Sequence, residues 1–205
     1  MFFEKINFDG VSVYKTNVAD KISISSLYDV GRELKDFLPY KSIKTGKRPG
    51  YQILLPSSHS KSNILNDIYS LCVDSYTKVY NIQCTNWYCD SWYFISESTE
   101  TESAYHTHKH MSSMTFEEVI SAFSSVLYVS LPEVMNGVEG SLRFRTESGY
   151  EHDIQPTLGD LIWFPANLEH KPLTNPSSKT PRYTIATSYL IHKKKGKGSF
   201  KRKKS

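Results

Sequence analysis

Gly159-Asp-Leu-Ile-Trp-Phe-Pro-Ala-Asn-Leu-Glu-His170 is the stretch on which the fold turns. An apolar run begins after Asp160 and stops at Phe164-Pro165, a short loop follows, and the chain re-enters at His170. An apolar run this short, bounded by Gly and Pro, fits a buried strand. Twelve residues later Arg182 opens a second strong strand, Arg182-Tyr-Thr-Ile-Ala-Thr-Ser-Tyr-Leu-Ile191. Alternate residues of a strand point to opposite faces. Tyr183, Ile185, Tyr189 and Ile191 make a bulky face, whereas Arg182, Thr184, Ala186 and Ser188 make one of a cation, two hydroxyls and a methyl. Side chains that small leave room in front of them, which predicts a cavity wall. An Arg and a hydroxyl two residues apart on such a wall suit a carboxylate, through bidentate and charge-assisted hydrogen bonds. The plain alternative is an Arg paired with a surface Asp or Glu.

Upstream, Ser103-Ala-Tyr-His-Thr-His-Lys-His110 sets His106, His108 and His110 at alternate positions. In an extended chain those imidazoles share one face. Neutral imidazole is the commonest protein ligand for a transition metal. Two of these histidines, with His170 as a distant third, make a three-point facial site with coordination positions left open. The alternative is a solvated strand end with no metal.

Further strands are expected at Trp87-Tyr88, Ser91–Ser96, Val126–Ser130, Ser141–Arg145 and His152–Gln155, with Pro, Gly or Asn between most of them. Residues 1–20 read as an extended lead-in and residues 38–60 as a long loop. Lys61–Ile82 is the clearest helix: Leu65, Ile68, Tyr69, Cys72, Tyr76, Val79 and Tyr80 form one apolar stripe at three- and four-residue steps. Ile22–Phe37 is a second helix, interrupted by Gly31. Thr115-Phe-Glu-Glu118 has capping-box spacing and predicts a short helix through Phe123. Many short strands after one long helix argue for a mainly β sandwich or barrel with helices on one side. At 205 residues the chain suits a single domain, placed at 1–192 with its core at about 86–192.

The formal charge of +4 is unevenly spread. Eight of the 25 Lys and Arg lie in residues 193–205, which contain no acid, so the first 192 residues hold 17 basic against 21 acidic side chains. A mildly acidic body thus carries a basic tail of the kind that is usually disordered. The tail suits a weak contact with nucleic acid or another anionic surface, or it only solubilises the end. Cys72, Cys84 and Cys89 are odd in number and lack CxxC spacing, and no apolar run has membrane-spanning length, which together suit a reducing cytoplasmic setting with no membrane partner. Cys72 is expected to pack in the helix, and Cys84 and Cys89 in a loop. His59, His152 and His192 are expected to be solvated.

Taken in order, the His-x-His pair, Tyr128 on a strand, Gly140-Ser-Leu-Arg-Phe144, Pro156-x-x-Gly159-Asp-Leu-Ile-Trp-Phe-Pro165, His170 and Arg182-x-Thr184 resemble the Fe(II)- and 2-oxoglutarate-dependent oxygenases, most of all their small phage-type hydroxylase branch. The resemblance covers residues 86–190 best. It implies a double-stranded β-helix (jelly-roll) core with the N-terminal helices packed on one sheet. It implies Fe(II) held by His106, His108 and His170, or in a second frame by His108, His110 and His170. The first frame lies nearer the Trp92 strand. It implies 2-oxoglutarate as cosubstrate, its distal carboxylate on Arg182 with help from Thr184 and a hydrogen bond from Tyr128, and O2 at the open metal position. It implies hydroxylation of a C–H bond in an unidentified substrate, a peptidyl side chain or a small metabolite.

Departures from the family pattern also stand in the sequence. The usual His-x-Asp or His-x-Glu is here His-x-His, so the ligand set lacks its carboxylate. Ser188 stands where the branch often has Asn. Other readings remain beside this one. A cupin-type metal enzyme without 2-oxoglutarate shares the barrel and the His-x-His, but residues 111–114 are Met-Ser-Ser-Met and lack the Glu expected there. A zinc hydrolase of His-x-His-x-Asp type is disfavoured by His110. A non-catalytic jelly-roll binding or structural module is the third.

Overall fold

The computed structural model describes residues 2–37, 51–55, 63–84, 86–96, 103–108 and 119–192. Strands β1 (Glu4–Phe8) and β2 (Val11–Asn17) form a hairpin, followed by helix α1 (Ile24–Phe37), strand β3 (Tyr51–Leu54) and helix α2 (Asn63–Val79). Then come β4 (Asn86–Ser96), β5 (Val119–Ser130), β6 (Leu142–Arg145), β7 (Glu151–Ile154), β8 (Asp160–Pro165), β9 (Glu169–Pro172) and β10 (Arg182–His192). Seven strands make the major sheet in the order β1-β2-β8-β5-β10-β4-β3, and three make the minor sheet, β7-β6-β9. Every pairing is antiparallel. Two facing antiparallel sheets with helices on the outer side are the expected mainly β jelly roll.

The alternation read in the sequence decides which side of the major sheet meets what. Tyr93, Ile95, Phe123, Leu127, Leu161, Trp163, Tyr183, Ile185, Tyr189 and Ile191 form one core with the helices. That core is stitched by rings: Tyr76 of α2 stacks on Phe123 at 4.2 Å, and Phe123 stacks on Tyr189 at 4.2 Å. Such ring pairs contribute about 0.5–1.5 kcal/mol each beyond the area they bury. The opposite side packs on the minor sheet through Tyr128, Leu142, Phe144, Ile162 and Phe164. Between the two sheets lies a cavity lined by side chains of both.

Helix α1 buries Ile24, Leu27, Val30 and Leu34 and is capped by Ser23, whose hydroxyl accepts from Ser26 N at 3.3 Å. Gly31, a weak helix former, is required by packing: a Cβ there would meet Tyr93 Cε1 at 2.9 Å and Tyr183 Cδ1 at 3.0 Å. Gly159 is required as well. Its φ is +81, and a Cβ would meet Ala19 Cβ at 2.7 Å. Asp160 beside it is structural, since its carboxylate accepts from Thr157 N at 2.6 Å and pairs with Lys15 at 2.8 Å.

Several local expectations are corrected. Val119–Phe123 is strand, not helix: Ser121–Ser130 runs in ladder with β10, and that pairing outweighs a local capping signal. Residues 115–118 lie outside the described residues. Tyr51–Leu54 is a strand paired with β4, not loop, while the remaining loop positions up to residue 60 are outside the description except Leu55. Cys89 sits in β4 and not in a loop. Val79 and Tyr80 end the α2 stripe exposed, although the Tyr80 ring still reaches Tyr76 at 4.7 Å. His152 is not simply solvated, because it stacks on Phe8 at 4.5 Å. His59, His110 and the 193–205 tail lie outside the described residues. Among the described residues no helix is long and apolar enough to cross a membrane.

Candidate metal centre

His170 lies on β9, an edge strand of the minor sheet, 3% exposed. The His106 segment joins that edge by one antiparallel bridge: His106 N donates to His170 O at 3.1 Å, and His170 N donates to His106 O at 3.0 Å. Two residues on, His108 N donates to Ala166 O at 2.8 Å. Those backbone bonds bring the three rings together. Ring centroids are 4.2 Å apart for His106 and His170, 5.1 Å for His108 and His170, and 5.4 Å for His106 and His108. One ligand atom from each lies within 4.8 Å of the others.

The second contacts of these rings orient them. His170 Nδ1 donates to Leu168 O at 3.0 Å. A carbonyl can only accept, so that bond places the ring's lone pair on Nε2, toward the other two histidines. His106 Nδ1 approaches Ala104 O at 3.4 Å, and His108 Nδ1 lies 3.3 Å from the Ser188 hydroxyl. Tyr105 pins the segment from outside: its ring lies 4.0 Å from the Arg145 guanidinium and 4.8 Å from the Lys171 ammonium, and its hydroxyl donates to Glu151. Burial and the Glu151 carboxylate hold the Tyr105 phenol well above its ordinary value.

A cavity opens from the histidines toward Arg182. It is walled by Trp92, Phe94, Val126, Leu142 and Phe164 and includes Tyr128, Thr184 and Arg182. Arg182 is 3% exposed; it donates to the Gly140 carbonyl, and among the described residues its Nε has no hydrogen-bond partner. Among the described residues no carboxylate pairs with it, which removes the surface ion-pair alternative. Burial therefore disfavours its charged form and lowers its pKa, partly opposed by Tyr128. Tyr128 is 1% exposed and its phenol is pushed up to about 12 by burial, with Arg182 acting the other way. It stays a donor at neutral pH. Thr184 Oγ1 donates to Phe94 O at 3.1 Å, which leaves its oxygen lone pairs toward the cavity.

Of the residues singled out from sequence, His106, His108, His170, Arg182, Thr184 and Tyr128 all line this one cavity. His110 lies outside the described residues. Among the described residues the donor set is three imidazoles and no carboxylate, a set suited to a borderline transition-metal ion. Ser188 beneath His108, the Gly140 carbonyl on Arg182 and the buried hydroxyl of Ser124 were not foreseen. Ser124 could have been found by continuing the alternation of Tyr128 and Val126 backward along β5.

No family model matches the sequence, and no curated protein matches it. Solved structures do match by shape. The carbocyclase SnoK from nogalamycin biosynthesis, described as non-heme and alpha-ketoglutarate dependent, aligns with a TM-score of 0.68 at 9% identity, covering 88% of this chain and 79% of that one. The prolyl-4-hydroxylase of Pseudomonas putida aligns with a TM-score of 0.61 at 15% identity over 89% of this chain and 93% of its own. The viral collagen prolyl hydroxylase of Paramecium bursaria Chlorella virus-1, solved with 2-oxoglutarate, aligns with a TM-score of 0.58 at 15% identity over 88% and 96%. The chain has the fold of the 2-oxoglutarate- and Fe(II)-dependent oxygenases.

Proposed function

We propose that the chain is an Fe(II)- and 2-oxoglutarate-dependent dioxygenase that hydroxylates a C–H bond of its substrate. The observation that carries this reading is the buried guanidinium of Arg182, whose Nε is unpartnered on the wall of the cavity that holds three converging histidines. A buried cation without an anion is costly unless the anion arrives with a ligand. A dicarboxylate that reaches from a metal to Arg182 meets that need.

In this reading His106, His108 and His170 hold the iron. Arg182 binds the distal carboxylate of 2-oxoglutarate, Tyr128 donates a hydrogen bond to it, and Thr184 completes the contact. Together the bound iron and cosubstrate supply the oxidation: dioxygen is consumed, 2-oxoglutarate leaves as succinate and CO2, and one oxygen atom enters the substrate. The chain's own part is to orient the cosubstrate, keep one metal face open and exclude water. Phe94, Val126, Leu142 and Phe164 make the apolar wall that does the last of these. Three neutral ligands leave the bound metal one charge more positive than two histidines and a carboxylate would.

The test is turnover of 2-oxoglutarate to succinate by the Fe(II)-loaded protein. Arg182→Ala is expected to raise the 2-oxoglutarate requirement by far more than it changes thermal stability, and His170→Ala to abolish turnover. An unchanged 2-oxoglutarate requirement in Arg182→Ala would remove the cosubstrate assignment.

A further inference from the structure

Beyond His108 the inner face of the major sheet continues outward and changes character. On β4, Asp90 follows Trp92 and Phe94 on the same face, because alternate residues share a side. The β4–β10 register sets Asp90 opposite Ser188, and the β10–β5 register sets Ser188 opposite Ser124. Opposed side chains in an antiparallel pair have Cβ atoms about 4.5–5.5 Å apart. Asp90 therefore stands one strand from the serine that lies 3.3 Å from His108 Nδ1.

Ser124, Ser188 and Asp90 thus form a polar row across three strands. Two aromatic rings flank it: Trp92, 5.9 Å from the His108 ring, and Tyr88, 53% exposed at the rim. Asp90 accepts from the Tyr88 hydroxyl at 2.6 Å, and among the described residues no cation pairs with it. Ser124 is 2% exposed, lines the metal cavity, and among the described residues its hydroxyl has no hydrogen-bond partner. A buried polar group without a partner points to one that is supplied from outside the chain.

We propose that this rim recognises a substrate bearing a primary ammonium or guanidinium group on an aliphatic arm; the proposal rests on the oxygenase reading of the same cavity. The carboxylate of Asp90 pairs with the cation beside the Tyr88 hydroxyl that already donates to it. The donors of such a group also reach hydroxyl oxygens in the row. The aliphatic arm then crosses Trp92 toward the metal. An acidic substrate would meet the Asp90 carboxylate, and an apolar one would cover it without compensation. Arg182 does not oppose the cation, since it lies six residues from Ser188 along one strand, about 20 Å away at the usual rise.

The experiment uses the full chain loaded with Mn(II) and 2-oxoglutarate. The probes are Nα-acetyl-L-lysine N-methylamide, free L-lysine, and Nα-acetyl-L-norleucine N-methylamide as the neutral counterpart. Paramagnetic broadening of each probe's side-chain protons reports both binding and nearness to the metal. At least one lysine probe is expected to bind ten-fold or more tighter than the norleucine probe, and Asp90→Asn to bring that ratio close to one. Whichever lysine probe binds tighter distinguishes a peptidyl from a free substrate. Equal binding of lysine and norleucine probes, or a ratio unchanged in Asp90→Asn, overturns the proposal while the metal and cosubstrate reading stands. Failure of the wild-type protein to bind Mn(II) with 2-oxoglutarate overturns both.

Discussion

The guanidinium of Arg182 donates to the backbone carbonyl of Gly140 and, among the described residues, to no carboxylate. Gly140 has φ +71, and a Cβ there would meet Met135 Sδ at 2.8 Å, so the carbonyl is held by a turn that tolerates little else. The chain spends stability to keep a cation buried and fixed.

Replacing that cation with a hydrocarbon of similar length should therefore not harm the ligand-free protein. Exchange of buried charge for apolar volume is often neutral or stabilising. Arg182→Met is expected to melt at or above the wild-type temperature without ligand. In the metal-loaded protein, saturating 2-oxoglutarate should raise the wild-type melting temperature further, by linkage, and leave that of metal-loaded Arg182→Met unmoved. A variant several degrees less stable, still shifted by 2-oxoglutarate, would contradict the role given to Arg182.

Tyr128 offers a separate check on the same carboxylate. With its phenol pushed up to about 12, it is protonated on both sides of neutrality. Its contribution should accordingly be flat between pH 6 and 9 and lost only as pH climbs toward its folded value. A hydrogen bond to a charged group contributes about 1.5–3 kcal/mol, so Tyr128→Phe should raise the Kd for 2-oxoglutarate roughly ten-fold or more. Titrations at three pH values would measure both the loss and its flatness.

The metal site makes a graded set of expectations. Loss of any one of His106, His108 or His170 should abolish tight binding of Co(II), read by its visible absorption. His110→Ala should retain it. Ser188→Ala removes the hydroxyl beside His108 Nδ1, and such supporting changes cost roughly 10–100-fold in metal affinity. Tight binding retained in His106→Ala and lost in His110→Ala would move the site to the other histidine frame.

Gly31 supplies a test of the packing between α1 and the sheet. In an exposed helix, Gly→Ala gains about 0.5–1 kcal/mol. Here the new methyl would press on the rings of Tyr93 and Tyr183. Gly31→Ala is expected to lower the unfolding midpoint in urea with the slope unchanged. A stabilised variant would show that those rings yield more easily than their burial implies.

These contrasts mark what the sequence could carry. The alternation of Arg182, Thr184, Ala186 and Ser188 was legible because one face of a buried strand is polar and small. The opposite alternation of Tyr183 to Ile191 located the helix-facing core. His170 was legible through the Pro165 break that precedes it. By contrast, the start of β5 was masked by the Thr115 capping spacing, a local signal that long-range pairing with β10 overrides. The Asp of Gly159-Asp160 carries no mark that separates a turn brace from a ligand; only its bonds to Thr157 and Lys15 do that. Asp90 gains meaning only when the register sets it in line with Ser188.

The most direct measurement is an anaerobic titration of the Fe(II)-loaded protein with 2-oxoglutarate, following the weak visible metal-to-ligand charge-transfer band. The band should rise to saturation in the wild type and fail to develop at the same concentrations in Arg182→Ala, although iron still binds. Tight Fe(II) binding with no band at any 2-oxoglutarate concentration would contradict the oxygenase reading and leave a cupin-type metal site; no metal binding at all would leave a non-catalytic jelly roll.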